Sequence, residues 1–126
     1  MIAIIDYKLG NIASLTAALE RLSFVNNVNY VVTNDPAMIQ RADRVILPGV
    51  GRAKPAMAEL TRFGLDQVIK DLTIPVLGIC LGMQLLAQWS EEDDTICLDC
   101  IPTTVKRFQS STLAIPQIGW NTVQQR

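Results

Sequence analysis

The sequence predicts an α/β domain built on a doubly wound, mostly parallel sheet. Two observations predict it. Short apolar runs alternate with stretches of helical periodicity from residue 2 to residue 89. The runs are nearly continuous rather than alternating, as expected of strands covered on both faces. A β-α-β-α-β-α-β-α order then calls for crossover connections, which put helices on both sides of one sheet.

Residues 2–6, Ile2-Ala3-Ile4-Ile5-Asp6, predict the first buried strand. Gly10-Asn11 breaks it, and Ile12, Leu15, Leu19 and Leu22 then recur at helical spacing. Residues 28–33 are β-branched and aromatic and read as a second strand. Asn34-Asp35-Pro36 is a turn and a helix cap, with Pro36 near the first helical position, where its missing N–H costs nothing. Arg44-Val45-Ile46-Leu47 predicts a third strand, closed by Pro48-Gly49-Val50-Gly51. A helix is expected over 56–72, with Met57, Leu60, Leu65, Val68, Ile69 and Leu72 apolar and a break near Gly64. Residues 76–79 predict a fourth strand, running straight into Cys80 and a helix over 81–89. Beyond the acidic run 91–94, short segments around 96–98 and 103–108 read as antiparallel pieces. Sites in parallel sheets lie at the carboxyl ends of strands, and both glycine-rich loops, 48–51 and 78–82, fall there.

At 126 residues the chain has the length of one domain. Hydrophobic residues make up 49% and charged residues 18%, an excess that implies strands buried on both faces, or an apolar face meant for a partner or for further chain. A net charge of −1 offers no footprint for nucleic acid or an anionic membrane. No apolar run reaches the roughly eighteen residues of a membrane span, and the N-terminus lacks the basic start of a signal peptide. Three cysteines, an odd number, fit a reducing cytoplasm rather than a disulfide framework. Cys97-Leu98-Asp99-Cys100 has the spacing of a zinc or redox pair. A structural zinc needs four ligands, however, and a redox pair belongs at a helix start, so neither a metal nor another cofactor is expected. There is no histidine, so no Cys–His or Ser–His mechanism is complete within these residues.

Gly78-Ile79-Cys80-Leu81-Gly82 has the Gly-x-nucleophile-x-Gly spacing of a nucleophile elbow, with cysteine in place of serine. The nucleophile sits on a sharp strand-to-helix turn, and the flanking glycines relieve crowding there. The start of a helix favours a charged thiolate. The N–H of Leu81 is then aimed where a tetrahedral oxyanion would form, and Pro48-Gly49-Val50-Gly51 can bring a second donor. The competing reading of Cys80 is a small buried hydrophobe, the commonest fate of a free cysteine.

Pro48-Gly49-Val50-Gly51, followed by Pro75-Val76-Leu77-Gly78-Ile79-Cys80-Leu81-Gly82-Met83-Gln84-Leu85-Leu86, resembles the class I (triad-type) glutamine amidotransferases. Ile4-Ile5-Asp6-Tyr7 with Gly10-Asn11, and Pro116-Gln117-Ile118-Gly119-Trp120-Asn121, resemble one branch of that family. Its members are glutaminase subunits that serve a (β/α)8-barrel cyclase subunit in histidine biosynthesis. The resemblance implies a flavodoxin-like three-layer fold over residues 1–126, a single domain lacking its C-terminal portion. It implies that Cys80 attacks the side-chain amide of glutamine, with Val50 and Leu81 N–H groups as the oxyanion hole and a peptide flip at Val50. It further implies that Gly49, Gly51, Gln84 and Glu92 hold glutamine, and that Asn11, Trp120 and Asn121 lie near the cyclase in a cytoplasmic heterodimer.

The departures from the family pattern are specific. No His-x-Glu motif is present, Lys8 stands where the family commonly has glycine, Gln117 where it has histidine, and Arg52-Ala53 follow a loop often followed by an aromatic. Taken without the resemblance, Gln84 reads rather as a solvated helix residue and Glu92 as part of a solvated acidic loop, whereas Trp120 reads equally as a satellite core residue. Three rival functions stay open: the glutaminase subunit of another amidotransferase, a non-catalytic partner-binding module, and a different elbow-cysteine hydrolase. The last usually carries histidine directly after the cysteine, where Leu81 stands here.

Overall fold

The computed structural model describes residues 1–125. Strands β1 (Ile2–Ile5), β2 (Tyr30–Thr33), β3 (Arg44–Leu47) and β4 (Val76–Gly78) form one parallel sheet in the order β2-β1-β3-β4. Ile4 pairs with Ile46, and Ile46 with Leu77, so these three side chains share one face. Helix α1 (Ile12–Asn26) covers that face through Ile12, Leu15 and Leu19. The opposite face carries the larger core. There Ala3, Ile5, Val45 and Leu47 pack with residues of α2 (Pro36–Gln40), α3 (Ala53–Arg62), α4 (Leu65–Lys70) and α5 (Leu81–Leu85).

The expected α/β order is therefore present, with helices on both sides. Coverage is uneven, however. Along the register Ile4, Ile46, Leu77 the exposure rises from 0% and 6% to 57%, because α1 reaches β1 and β3 but not β4. Ile79 and Met83, beside the same edge, are also exposed. The high apolar content thus includes an uncovered strip as well as a core.

Three expectations about element bounds are corrected. The helix expected over 56–72 begins at Ala53 instead, and its expected break falls at Gly64, whose φ of 67° is left-handed. The helix expected over 81–89 ends at Leu85. The carbonyls of Leu85, Leu86 and Ala87 instead accept the N–H groups of Leu98, Cys100 and Asp99, so the returning chain takes the groups that would continue the helix. Finally, Trp89–Ser90 form β5, which pairs antiparallel with β6 (Thr95–Ile96) but parallel with β7 (Thr104–Val105). Only the first of the two late segments is antiparallel. Among the described residues no helix is long and apolar enough to cross a membrane.

Candidate active site

The carboxyl ends of β1, β3 and β4 converge, and each continues into a loop that the sequence singled out. After β4 the chain turns at Cys80, which has φ 53° and ψ −115°, a conformation that side chains rarely adopt. The turn is fixed on both sides. Ile79 N–H donates to the Leu47 carbonyl at 3.0 Å, Gly82 N–H to the Ile79 carbonyl at 2.9 Å, and Gln84 N–H to the Cys80 carbonyl at 3.2 Å. A Cβ at Gly82 would stand 1.8 Å from the Leu47 carbonyl oxygen, so only glycine lets the first turn of α5 seat against the end of β3. Cys80 is exposed and carries a free thiol, which removes the reading of a buried hydrophobe. This is the strained strand-to-helix geometry of a nucleophile elbow.

The predicted oxyanion donors stand at the same place in different states. Leu81 opens α5, is buried, and its N–H has no backbone acceptor among the described residues. The Val50 N–H is already engaged, donating to the Leu9 carbonyl at 3.0 Å. Gly49 is buried between the two loops, and Gly51 follows with φ 97°. A Cβ on Gly49 would come within 2.6 Å of the Tyr7 hydroxyl and 2.8 Å of the Gly82 nitrogen. Lys8, where the family commonly has glycine, takes φ 71°. Asp6 supports that turn, its carboxylate accepting the Lys8 N–H at 3.1 Å and the Lys8 ammonium at 3.2 Å.

Gln84 and Glu92 are brought together as a pair. Gln84 Nε2 donates to Ser90 Oγ at 2.8 Å and to Glu92 Oε2 at 3.2 Å. The same Glu92 oxygen accepts the Ala53 N–H at 2.9 Å, at the start of α3. Arg52 forms an ion pair with Asp93. These groups line a cavity of about 620 Å³ together with Glu91, Lys106 and Arg107. Cys80 lines a separate cavity of about 310 Å³, whose walls include Asn11, Ser14, Pro48, Gly49 and Val50. Asn11 also caps α1, its side chain accepting the Ser14 N–H at 3.3 Å.

The two late candidates are not drawn in. Trp120 and Asn121 are exposed, and no helix or strand includes them. The thiols of Cys97 and Cys100 each point to a backbone carbonyl, of Thr95 and Leu98 respectively, and burial pushes both thiols up from the ordinary cysteine range.

Two residues at the site, Ser90 and Tyr7, have no role assigned from the sequence, although Tyr7 lies in one of the motifs. Ser90 is fully buried, accepting the Gln84 amide and, at 3.2 Å, the Glu92 N–H. Nothing marks it in the chain, since its partners are set by the β5 turn. Tyr7 is buried, and its hydroxyl donates to the Pro48 carbonyl at 2.8 Å. Burial pushes this phenol up to about 12, the charge of Cys80 adding to the shift, so the hydroxyl stays a donor.

Comparison with known proteins shows the family. A family model described as glutamine amidotransferase class-I matches residues 3–123. The chain is 48% identical over 123 residues to the imidazole glycerol phosphate synthase subunit HisH of Idiomarina loihiensis, covering 98% of this chain and 61% of that relative. It is 47% identical to the subunit of the same name from Bacteroides fragilis, with 97% and 61% covered. It is also 47% identical to subunit HisH 2 of Legionella pneumophila, with 96% and 59% covered. The chain thus spans between 59% and 61% of the length of these curated relatives. A solved structure titled as a glutamine amidotransferase superposes with a TM-score of 0.68 at 16% identity, over 85% of this chain and 57% of that one. At that identity the likeness is one of fold.

Proposed function

The chain belongs to the class I glutamine amidotransferases, and from that premise we propose that it is the glutaminase part of an imidazole glycerol phosphate synthase. The observation that carries the proposal is the strained, exposed Cys80 turn beside the Pro48–Val50 loop. In this reading the Cys80 thiolate attacks the side-chain carbonyl carbon of glutamine. The C=O electrons move onto oxygen, and the free Leu81 N–H donates a hydrogen bond to the resulting oxyanion. A second donor becomes available when the Gly49–Val50 peptide turns and the Val50 N–H leaves the Leu9 carbonyl. Collapse breaks the C–N bond, ammonia departs with an added proton, and water then hydrolyses the thioester to glutamate.

The cavity of Gln84 and Glu92 suits the other end of the substrate. Its walls carry both signs of charge, from Arg52, Lys106 and Arg107 and from Glu91, Glu92 and Asp93. An α-amino acid presents both signs as well. The apolar opening past Asn11 and Val50 is where ammonia would leave toward a (β/α)8-barrel cyclase, with Asn11 on its wall; Trp120 and Asn121 are further candidates for contact with that partner. The 126 residues contain no histidine, so the proton transfers call for a base outside them, and this chain alone turns glutamine over slowly or not at all. We place the protein in the cytoplasm, with the cyclase as partner in a heterodimer.

Covalent labelling tests the proposal. A glutamine-derived chloroketone should alkylate Cys80 of the intact chain, free glutamine should protect it, and Cys80→Ser should abolish labelling. Absence of any glutamine-protected labelling would favour the non-catalytic binding module, the reading supported by the missing histidine.

A further inference from the structure

We propose that Tyr7 is the positioning residue of the Pro48–Val50 loop: its hydroxyl anchors the Pro48 carbonyl, so that rotation is confined to the Gly49–Val50 peptide. The inference rests on the glutaminase reading for its consequence but on geometry for its substance.

The loop is held from one side by a single neighbouring segment. Tyr7 OH donates to Pro48 O at 2.8 Å across 41 residues, and two residues later the Leu9 carbonyl accepts the Val50 N–H at 3.0 Å. These two bonds differ in kind. The first is made by a buried side chain, 1% exposed, whose ring packs in the larger core with Ala3, Ile5, Leu47 and Leu81. The second ends at Val50, which is half exposed on the rim. The inner bond is therefore the fixed one and the outer bond the one free to open.

Position reinforces the distinction. The Tyr7 hydroxyl approaches Gly49 so closely that no Cβ fits between them, and Leu81 and Gly82 crowd the same point at the start of α5. The hydroxyl thus holds the loop bearing the second oxyanion donor at the point where the start of α5 closes on it. Its protonation is secure, since burial keeps it a phenol well above neutral pH. A phenylalanine of the same shape would keep the packing and leave the buried Pro48 carbonyl without its donor.

Amide hydrogen exchange of the 126-residue chain tests the anchor directly, with the Ile46 amide in β3 as internal reference. In Tyr7→Phe the Val50 amide should exchange roughly five- to tenfold faster, the cost of one lost buried hydrogen bond, while Ile46 is unchanged. Tyr7→p-aminophenylalanine, which restores an N–H donor, should return Val50 to the slow rate. An unchanged Val50 rate overturns the proposal. So does a parallel loss of protection at Val50 and Ile46, which would make Tyr7 only a core residue. Alkylation gives a second readout: Tyr7→Phe should slow the glutamine-derived chloroketone but not iodoacetamide, which needs only the thiol. An equal fall in both rates overturns the anchor. Failure of the chloroketone on the wild-type chain instead sinks the glutaminase reading, and the exchange result then decides the anchor by itself.

Discussion

The Glu92 carboxylate caps helix α3 from 39 residues away, its Oε2 accepting the Ala53 N–H at 2.9 Å. The residue in the usual capping position, Arg52, makes no side-chain cap of its own. The carboxylate proposed to hold glutamine is therefore also a structural one. It sits at the positive end of a ten-residue helix and accepts the Gln84 amide as well. Glu92→Ala should lower stability by about 1 kcal/mol, the usual cost of a lost helix cap. Urea unfolding followed by circular dichroism measures it; an unchanged midpoint would show that water replaces the carboxylate without loss.

The strain at Cys80 is open to measurement in the opposite direction. At φ 53° and ψ −115° a glycine is at ease and a cysteine is not. Cys80→Gly should therefore stabilise the chain by about 1–2 kcal/mol while removing the reactive thiol. Cys80→Ala removes the thiol but keeps a Cβ, and should leave the unfolding midpoint near that of wild type. Equal midpoints for the two variants would mean that the turn is not strained.

Lys8 makes a milder case of the same kind. Its φ of 71° lies in the left-handed region, at a cost of about 1–2 kcal/mol for a side-chain-bearing residue, part of which glycine returns as lost chain entropy. The exposed contact between Lys8 and Asp6 adds little. Lys8→Gly should raise stability by about 0.5–1 kcal/mol. A lower urea midpoint would give the Lys8 side chain a role that its exposed position does not explain.

The uncovered edge of the sheet predicts a contrast between two residues paired in register. Ile46→Ala removes a buried side chain and should cost about 2–5 kcal/mol. Leu77→Ser, on the same face one strand further out, should stay within about 0.5 kcal/mol of wild type. Comparable losses at both positions would show that β4 is covered in solution, by a second copy or by rearranged chain.

Alkaline pH should unfold the protein partly through Tyr7. Its phenol ionises near 10.0 when unfolded and near 12 when folded. The folded state therefore holds the proton more tightly, and this contribution is complete below pH 10 and lost as pH rises toward 12. Tyr30, the other tyrosine, is shifted upward too, by burial first and then by Glu20, and contributes in the same direction. Comparing urea midpoints of wild type and Tyr7→Phe across this range isolates Tyr7. Parallel pH profiles would contradict the shift.

What was legible in the sequence was whatever depends on local periodicity and spacing. Four apolar runs placed the four parallel strands, and glycines marked the break at Gly64 and the turn at Cys80. The resemblance assigned both Gln84 and Glu92 to the glutamine pocket, and folding pairs them. Local pattern failed where a distant segment supplies the hydrogen-bonding partner. Helix α5 stops at Leu85 because the chain at 98–100 takes the next carbonyls, and α3 starts at Ala53 because Glu92 caps it. Neither partner is visible from the residues at the helix ends.

The sequence by itself determined the kind of site: a cysteine on an elbow, two glycine loops at strand ends, and no histidine to serve it. Only the tertiary structure decided its state. It turned the Val50 N–H to Leu9, set Tyr7 beneath Pro48, and left β4 open on one face. The reason is physical. Periodicity reports which face of an element is apolar, whereas the direction of one N–H, or the burial of one hydroxyl, depends on groups that folding brings from tens of residues away.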